Sequence, residues 1–198
     1  MKWYTAVGVK MEDPDGAFRV QAGTEIKNLL GVECYIWNTL LWSFVEEEQI
    51  YIRMIRLLRL AFPEEPDKVN VDVEEFSFCF QRLLMRGLIA FCEGETIEEA
   101  ARGLFRTASV ACVGRTFGER FLLFCESVAG GSPFTASMQV FKKNPLEHTH
   151  RQLLKRIEGE GKAGFALKDT EKELLEAVIE LHHNKLLFIQ SVKEGLLA

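Results

Sequence analysis

Four histidines, five cysteines and a glycine-rich loop are the residues of this chain with the widest chemistry, and their spacing withholds most of it. His148 and His150 stand two apart on a helical pattern and so point to different faces, while His182 and His183 are adjacent. Neither pair has the i, i+4 geometry that brings two imidazoles onto one metal ion, so the sequence predicts surface helix ends and no metal site. Cys34, Cys79, Cys92, Cys112 and Cys125 are odd in number, lie in apolar surroundings and never form a Cys-x-x-Cys pair. That predicts small core side chains in a reducing compartment. The segment Ala129-Gly130-Gly131-Ser132 lacks the lysine and the helix start that a phosphate cradle needs, and reads as a turn. No Gly-x-Ser-x-Gly, Walker loop or Gly-x-Gly-x-x-Gly occurs, so no catalytic residue and no cofactor is nominated.

What remains is binding chemistry, and the distribution of charge bears on it. Residues 31–94 hold 11 acidic and 6 basic side chains, whereas residues 142–168 hold 7 basic and 3 acidic ones. DNA, as a partner, would meet the second stretch through Lys142, Lys143, Arg151, Lys155 and Arg156, because phosphate neutralisation supplies most non-specific affinity. Arg53, Arg56 and Arg59, spaced by three and preceded by Glu46, Glu47 and Glu48, read as a solvated helix face. With 198 residues and 47% apolar content, the chain can bury one good core or two small ones. No apolar run approaches the roughly 20 residues that span a bilayer. Met1-Lys2-Trp3-Tyr4-Thr5 lacks the apolar centre of a secretion signal. The expectation is a cytoplasmic protein with no membrane partner.

The elements that must position these residues begin with an N-terminal β-hairpin. Trp3–Lys10 and Ala17–Gln21 are β-prone, and the Pro14 and Asp15-Gly16 between them supply turn geometry. After a connector at Gly23–Leu30, Ile36, Trp37, Leu40, Leu41 and Phe44 mark a first core helix. A second runs from about Glu46 to Phe62, where Pro63 ends it; Ile50, Tyr51, Met54, Ile55, Leu57, Leu58 and Ala61 predict burial on more than one side. In the third, Asp72 and Glu75 form a capping box, Val71 staples onto Phe76, and Val73, Phe76, Phe80, Leu83 and Leu84 face inward until Gly87 stops the helix. Further helix starts are marked by Thr96 with Glu99, Thr170 with Glu173, and Asn144-Pro145 with Glu147. Ser109–Val113, Arg120–Ser127 and Thr135–Phe141 read as strands.

The run from Phe80 to Phe91 can be laid 98 residues later on Val178 to Ile189, each reading as a helix, a basic or imidazole end and a β-prone run. The fold class is therefore α+β. Residues 1–95 form a winged-helix-like module with an N-terminal hairpin, and residues 96–198 form a second α+β region, open to being another winged helix. The Gly130-Gly131-Ser132-Pro133 loop near 130 is a boundary between domains or a long turn within one.

Gly31, Ile36-Trp37-Asn38-Thr39-Leu40, the helix after Glu46, Asp72-Val73-Glu74-Glu75-Phe76 and Gly87-Leu88 together resemble the PqqD-like family of small winged-helix peptide-binding modules. The match covers about a third of the chain. Bacterial winged-helix transcription regulators resemble the same segment through Leu84-Met85-Arg86-Gly87-Leu88-Ile89. The first resemblance implies a peptide or protein partner held as an added strand between the sheet edge and the third helix. It points to Arg19 and Gln21 on the Ala17–Gln21 strand and to Gln81, Arg82 and Met85 on the outer helix face. The second implies a DNA reader. The third helix opens with Asp72, Glu74 and Glu75, which repel phosphates, and this favours the peptide reading. A homo-oligomer is left open.

Overall fold

In the computed structural model, which describes residues 1–11, 15–63, 71–112, 153–157, 165–166 and 172–192, the N-terminal β-prone run breaks at Gly8. Its φ of 97° disfavours any side chain, and a Cβ there would stand 2.6 Å from the Gln21 carbonyl oxygen. The chain turns between β1 (Lys2–Ala6) and β2 (Val9–Met11), and the two strands enter different sheets. The expected hairpin is thereby corrected: only β2 pairs with β3 (Arg19–Ala22), Val9 opposite Gln21 and Met11 opposite Arg19. Gly23–Leu30, expected as a connector, holds a third strand, β4 (Glu25–Asn28). A two-residue turn with Gly23 at φ 59° joins it to β3.

Helix α1 (Val32–Leu40) buries Ile36, Trp37 and Leu40 as its spacing predicts. The Trp37 indole Nε1 donates to the Val7 carbonyl at 3.1 Å, and Phe18 meets its ring edge-on. After β5 (Val45–Glu46), helix α2 (Glu47–Ala61) keeps Arg53, Arg56 and Arg59 exposed. Its burial is one stripe of Ile50, Met54 and Leu58, narrower than expected, with Ala61 exposed and Tyr51, Ile55 and Leu57 half-buried. Helix α2 packs on α1, β1 and β5, and its Tyr51 ring meets Phe76 edge-on at 5.2 Å.

Helix α3 (Val73–Met85) starts after Asp72 as predicted, but the Asp72 side chain makes no capping hydrogen bond. Val73 is 60% exposed, and the fully buried stripe is Cys79, Phe80 and Leu83. Buried Val71 occupies the entry instead, and the Tyr51 hydroxyl donates to its carbonyl at 2.8 Å, so the chain is held one step before the helix begins.

Among the described residues no strand pairs back on the segment after α3 to make a wing. β6 (Ile89–Glu93), which follows α3, pairs along its length with β1, from Lys2 opposite Glu93 to Ala6 opposite Ile89, and β5 lies on the other side of β1. The chain then enters α4 (Ile97–Thr107), whose cap forms as predicted: Glu99 N–H donates to Thr96 Oγ1 at 3.2 Å, and Glu95 N–H to the Glu99 carboxylate at 2.9 Å. The β5-β1-β6 sheet divides the core. Tyr4, Ala6 and Ile89 pack with α1, α2 and α3, while Trp3, Ala90 and Cys92 pack with Ala100, Leu104 and Phe105 of α4.

β7 (Ala108–Cys112), a helical stretch at 153–157, β8 (Phe165–Ala166), α5 (Lys172–His183) and β9 (Leu187–Val192) follow, with sheet order β8-β7-β9. β7 matches the Ser109–Val113 expectation. The Arg120–Ser127 and Thr135–Phe141 strands, the Gly130 loop and the helix starts at Asn144 and Thr170 lie outside the described residues.

The internal echo has a geometry. Arg86, Gly87 and Leu88 donate their N–H groups to the carbonyls of Arg82, Leu84 and Leu83. Asn184, Lys185 and Leu186 donate to Glu180, His182 and Leu181, the same three bonds 98 positions on. Gly87 takes φ 65° and Lys185 φ 60°, so one helix ending is built twice, once with glycine and once without. Because a side chain in this region costs about 1 kcal/mol or more, Gly87→Ala is expected to destabilise the fold by about 1 kcal/mol. Lys185→Gly should stabilise it by roughly half that, since glycine also raises the entropy of the unfolded chain. Denaturant midpoints of the two variants, moving in opposite directions, check the assignment.

Candidate functional site

β4 is the outer strand of the β2-β3-β4 sheet, and local hydrogen bonding settles which of its groups face outward. Leu29 N–H donates to Phe18 O at 2.9 Å, so that pair is hydrogen-bonded across β3. By the alternation of an antiparallel ladder, the main-chain groups of Ile26 and Asn28 project to the open side. Side chains alternate as well. Val20 is buried toward the helices and shares its face with Lys27, while Arg19, Gln21, Ile26 and Asn28 lie on the other face.

The end of α3 reaches this side through Arg86, the residue that follows the helix, and ion pairs hold it there. Glu33, in the first turn of α1, has a fully buried side chain. Its Oε1 accepts from Arg82 Nε at 2.6 Å and from Arg86 Nη1 at 3.1 Å, and its Oε2 accepts from Arg86 Nη1 at 3.1 Å and Leu30 N–H at 3.3 Å. Arg86 Nη2 donates to the outward carbonyl of Asn28 at 2.6 Å, and Lys27 Nζ donates to the Arg86 carbonyl at 2.6 Å. Burial alone would raise the Glu33 carboxyl, but the hydrogen bonds from Arg82 and Leu30 and the charges of Arg86 and Arg82 outweigh it and hold the group below the usual carboxylate range. On the outer face of α3, Arg82 lies over the Phe78 ring with 5.7 Å to its centroid. Phe78 is 65% exposed and Met85 81%.

The residues singled out from sequence do not converge. Gln81, Arg82 and Met85 share the accessible part of α3, with Arg82 committed at its Nε to Glu33. Arg19 and Gln21 belong to a strand bonded on both sides, so the Ala17–Gln21 run offers no edge, and their side chains lie on the sheet face away from the helices. The outer strand of this sheet is β4, with β3 in the middle. Lys155 and Arg156 are exposed in the helical residues 153–157; Lys142, Lys143, Arg151, His148 and His150 lie outside the described residues. Sequence reasoning missed β4, Lys27, Glu33, Phe78 and Arg86. The one available signal was a carboxylate placed among the apolar positions of α1.

Cys34, Cys79, Cys92 and Cys112 form no disulfide with one another, and burial pushes Cys92 up to about 12; Cys125 lies outside the described residues. A shallow depression is lined by Met1, Lys2, Glu46, Glu47 and Glu48, beside which the Tyr4 hydroxyl donates to Glu47 at 3.2 Å. Among the described residues no group of His, Cys, Asp or Glu could hold a metal ion, and no helix is long and apolar enough to cross a membrane. No protein family, no curated protein and no solved structure matches this chain.

His182 departs from the expected surface setting. It is 2% exposed, enclosed by Trp42, Phe44 and Phe105, while neighbouring His183 is exposed. Burial and the charge of His183 push it down to about 3 from an ordinary 6.5. The unfolded chain therefore binds a proton below about pH 6.5 that the native state refuses, so stability is full above that value and falls as pH drops toward 3. The Glu33 contribution is lost only below pH 4.5, its ordinary value, because its native value lies lower still. Lowering the pH to 5 is expected to cost about 2 kcal/mol through His182. His182→Phe should flatten the profile between pH 6.5 and 5 in denaturant titrations; an unchanged slope would place the proton elsewhere.

Proposed function

We propose that this protein is a non-catalytic binding module that takes an extended peptide or protein segment as an added strand on β4, beside α3. The observation that carries the reading is an outer strand whose Ile26 main-chain groups face the open side, tied by Lys27 and Arg86 to a helix exposing Phe78, Arg82 and Met85. Strand addition draws affinity from main-chain hydrogen bonds and specificity from alternate side chains, and both are on offer here. The resemblance of residues 31–89 to PqqD-like modules supports the same mode, with a small sheet ahead of three helices. Glu74 and Glu75 in the first turn of α3 oppose a DNA backbone.

A random-peptide phage library selected on the full-length chain tests it. Ile26→Pro removes an N–H on the open side, where an outer strand tolerates proline, so the variant keeps its fold. Selected clones are expected to bind wild type at least about tenfold better than this variant. Clones that bind both proteins equally would sink the reading. So would tight duplex-DNA binding that weakens steeply between about 50 and about 200 mM salt and disappears in Lys155→Glu with Arg156→Glu.

A further inference from the structure

The side chains at the open side of β4 specify what the docked segment must carry; the inference rests on the strand-addition reading. For a strand to pair fully along β4, its N–H has to take the Asn28 carbonyl, which Arg86 Nη2 now holds at 2.6 Å. The displaced nitrogen finds no acceptor on Glu33, whose two oxygens already receive Arg82, Arg86 and Leu30. Arg82 commits only its Nε, and its two terminal nitrogens donate to no group among the described residues. Lys27 is neutralised by Glu25 at 2.9 Å. Two guanidinium groups against one buried carboxylate leave an excess positive charge, and Arg82 is the more exposed of the pair, at 40% against 28%. On the same face of α3, Phe78 lies four residues before Arg82 and Met85 three after it.

We propose that the segment docked on β4 carries an aspartate or glutamate that engages the terminal nitrogens of Arg82 and the freed end of Arg86, between apolar side chains seated on Phe78 and Met85. A carboxylate fits because it accepts a guanidinium in forked geometry and restores the acceptor that strand addition takes from Arg86. Its neighbours two residues away along an extended strand point to the same side, toward the two exposed apolar residues.

Peptides selected from the phage library on the full-length chain are the probe. Enrichment of an acidic residue flanked two positions away by apolar ones is expected. Replacing that acid by its amide in a synthetic copy should weaken binding to wild type about tenfold and weaken binding to Arg82→Gln by a smaller factor, since Arg86 still faces the acid there. Arg82→Lys keeps Glu33 paired and loses only the fork, so it repeats the comparison if Arg82→Gln does not fold, with a smaller loss than on wild type expected. Clones without acid enrichment, or an amide penalty equal on wild type and the Arg82 variants, overturn the carboxylate inference; if those clones still discriminate against Ile26→Pro, the strand-addition reading stands. Clones indifferent to Ile26→Pro overturn both.

Discussion

A carboxylate removed from water must find enough donors to replace its hydration, and Glu33 finds them on two segments, the residue Leu30 just before its own helix and the distant pair Arg82 and Arg86. Leu30 supplies a main-chain N–H just ahead of α1; Arg82 reaches in from the last turn of α3 and Arg86 from the residue after it; and Arg86 goes on to grip Asn28 at the end of β4. The position of α3 relative to β4 and the start of α1 is thus held by charge-assisted hydrogen bonds, which are directional, and not by apolar packing alone. A buried ion pair is weak evidence for net stability, because desolvation offsets much of its attraction. What it fixes is geometry, and here the geometry is the spacing between an outer strand and a helix.

The second constraint is β1. Its alternate residues feed two cores, Tyr4 and Ala6 toward α1, α2 and α3, and Trp3 toward α4 and the elements beyond it. A strand can serve both only if it is central, which β5 and β6 ensure from either side. Gly8 then lets the chain leave that sheet for the next, and its N–H donates to the Ile189 carbonyl at 2.7 Å, as Gly23 N–H does to Gln190 at 2.8 Å. The small N-terminal sheet is thereby anchored to β9 at the ends of β2 and β3, while β4 stays on the outside.

Arg86 has two consequences that meet at β4. An outer strand with free main-chain groups is a template for unwanted pairing, and natural proteins blunt such edges with charge. The guanidinium on Asn28 and the ammonium of Lys27 beside it do so here. In the proposed binding mode, the same groups would distinguish a segment able to replace them from one that merely extends a sheet.

The sequence alone determined the elements whose hydrogen bonds close within a few residues. α1, α2, α3 and α4, the Thr96 cap, the left-handed turn at Gly87 and its echo at Lys185 are local, set by residues three to six apart. Trp37 was legible as core because its helical face is continuous with Leu40. Tertiary structure decided what depends on distant partners. β1 finds β6 across 83 to 91 positions, so neither the pairing of β6 nor the outer place of β4 could be read from turn residues. Glu33 meets Arg82 across 49 positions, and the burial of His182 depends on Phe44 and Phe105. Asp72 shows the boundary: a cap that its own sequence favours goes unmade, while Val71, one residue earlier, is buried and its carbonyl accepts from the distant Tyr51. Local preferences are worth about 1 kcal/mol, and burial of a large apolar or charged group outweighs them, so the candidate site, made of such distant contacts, belongs to the fold more than to any stretch of chain.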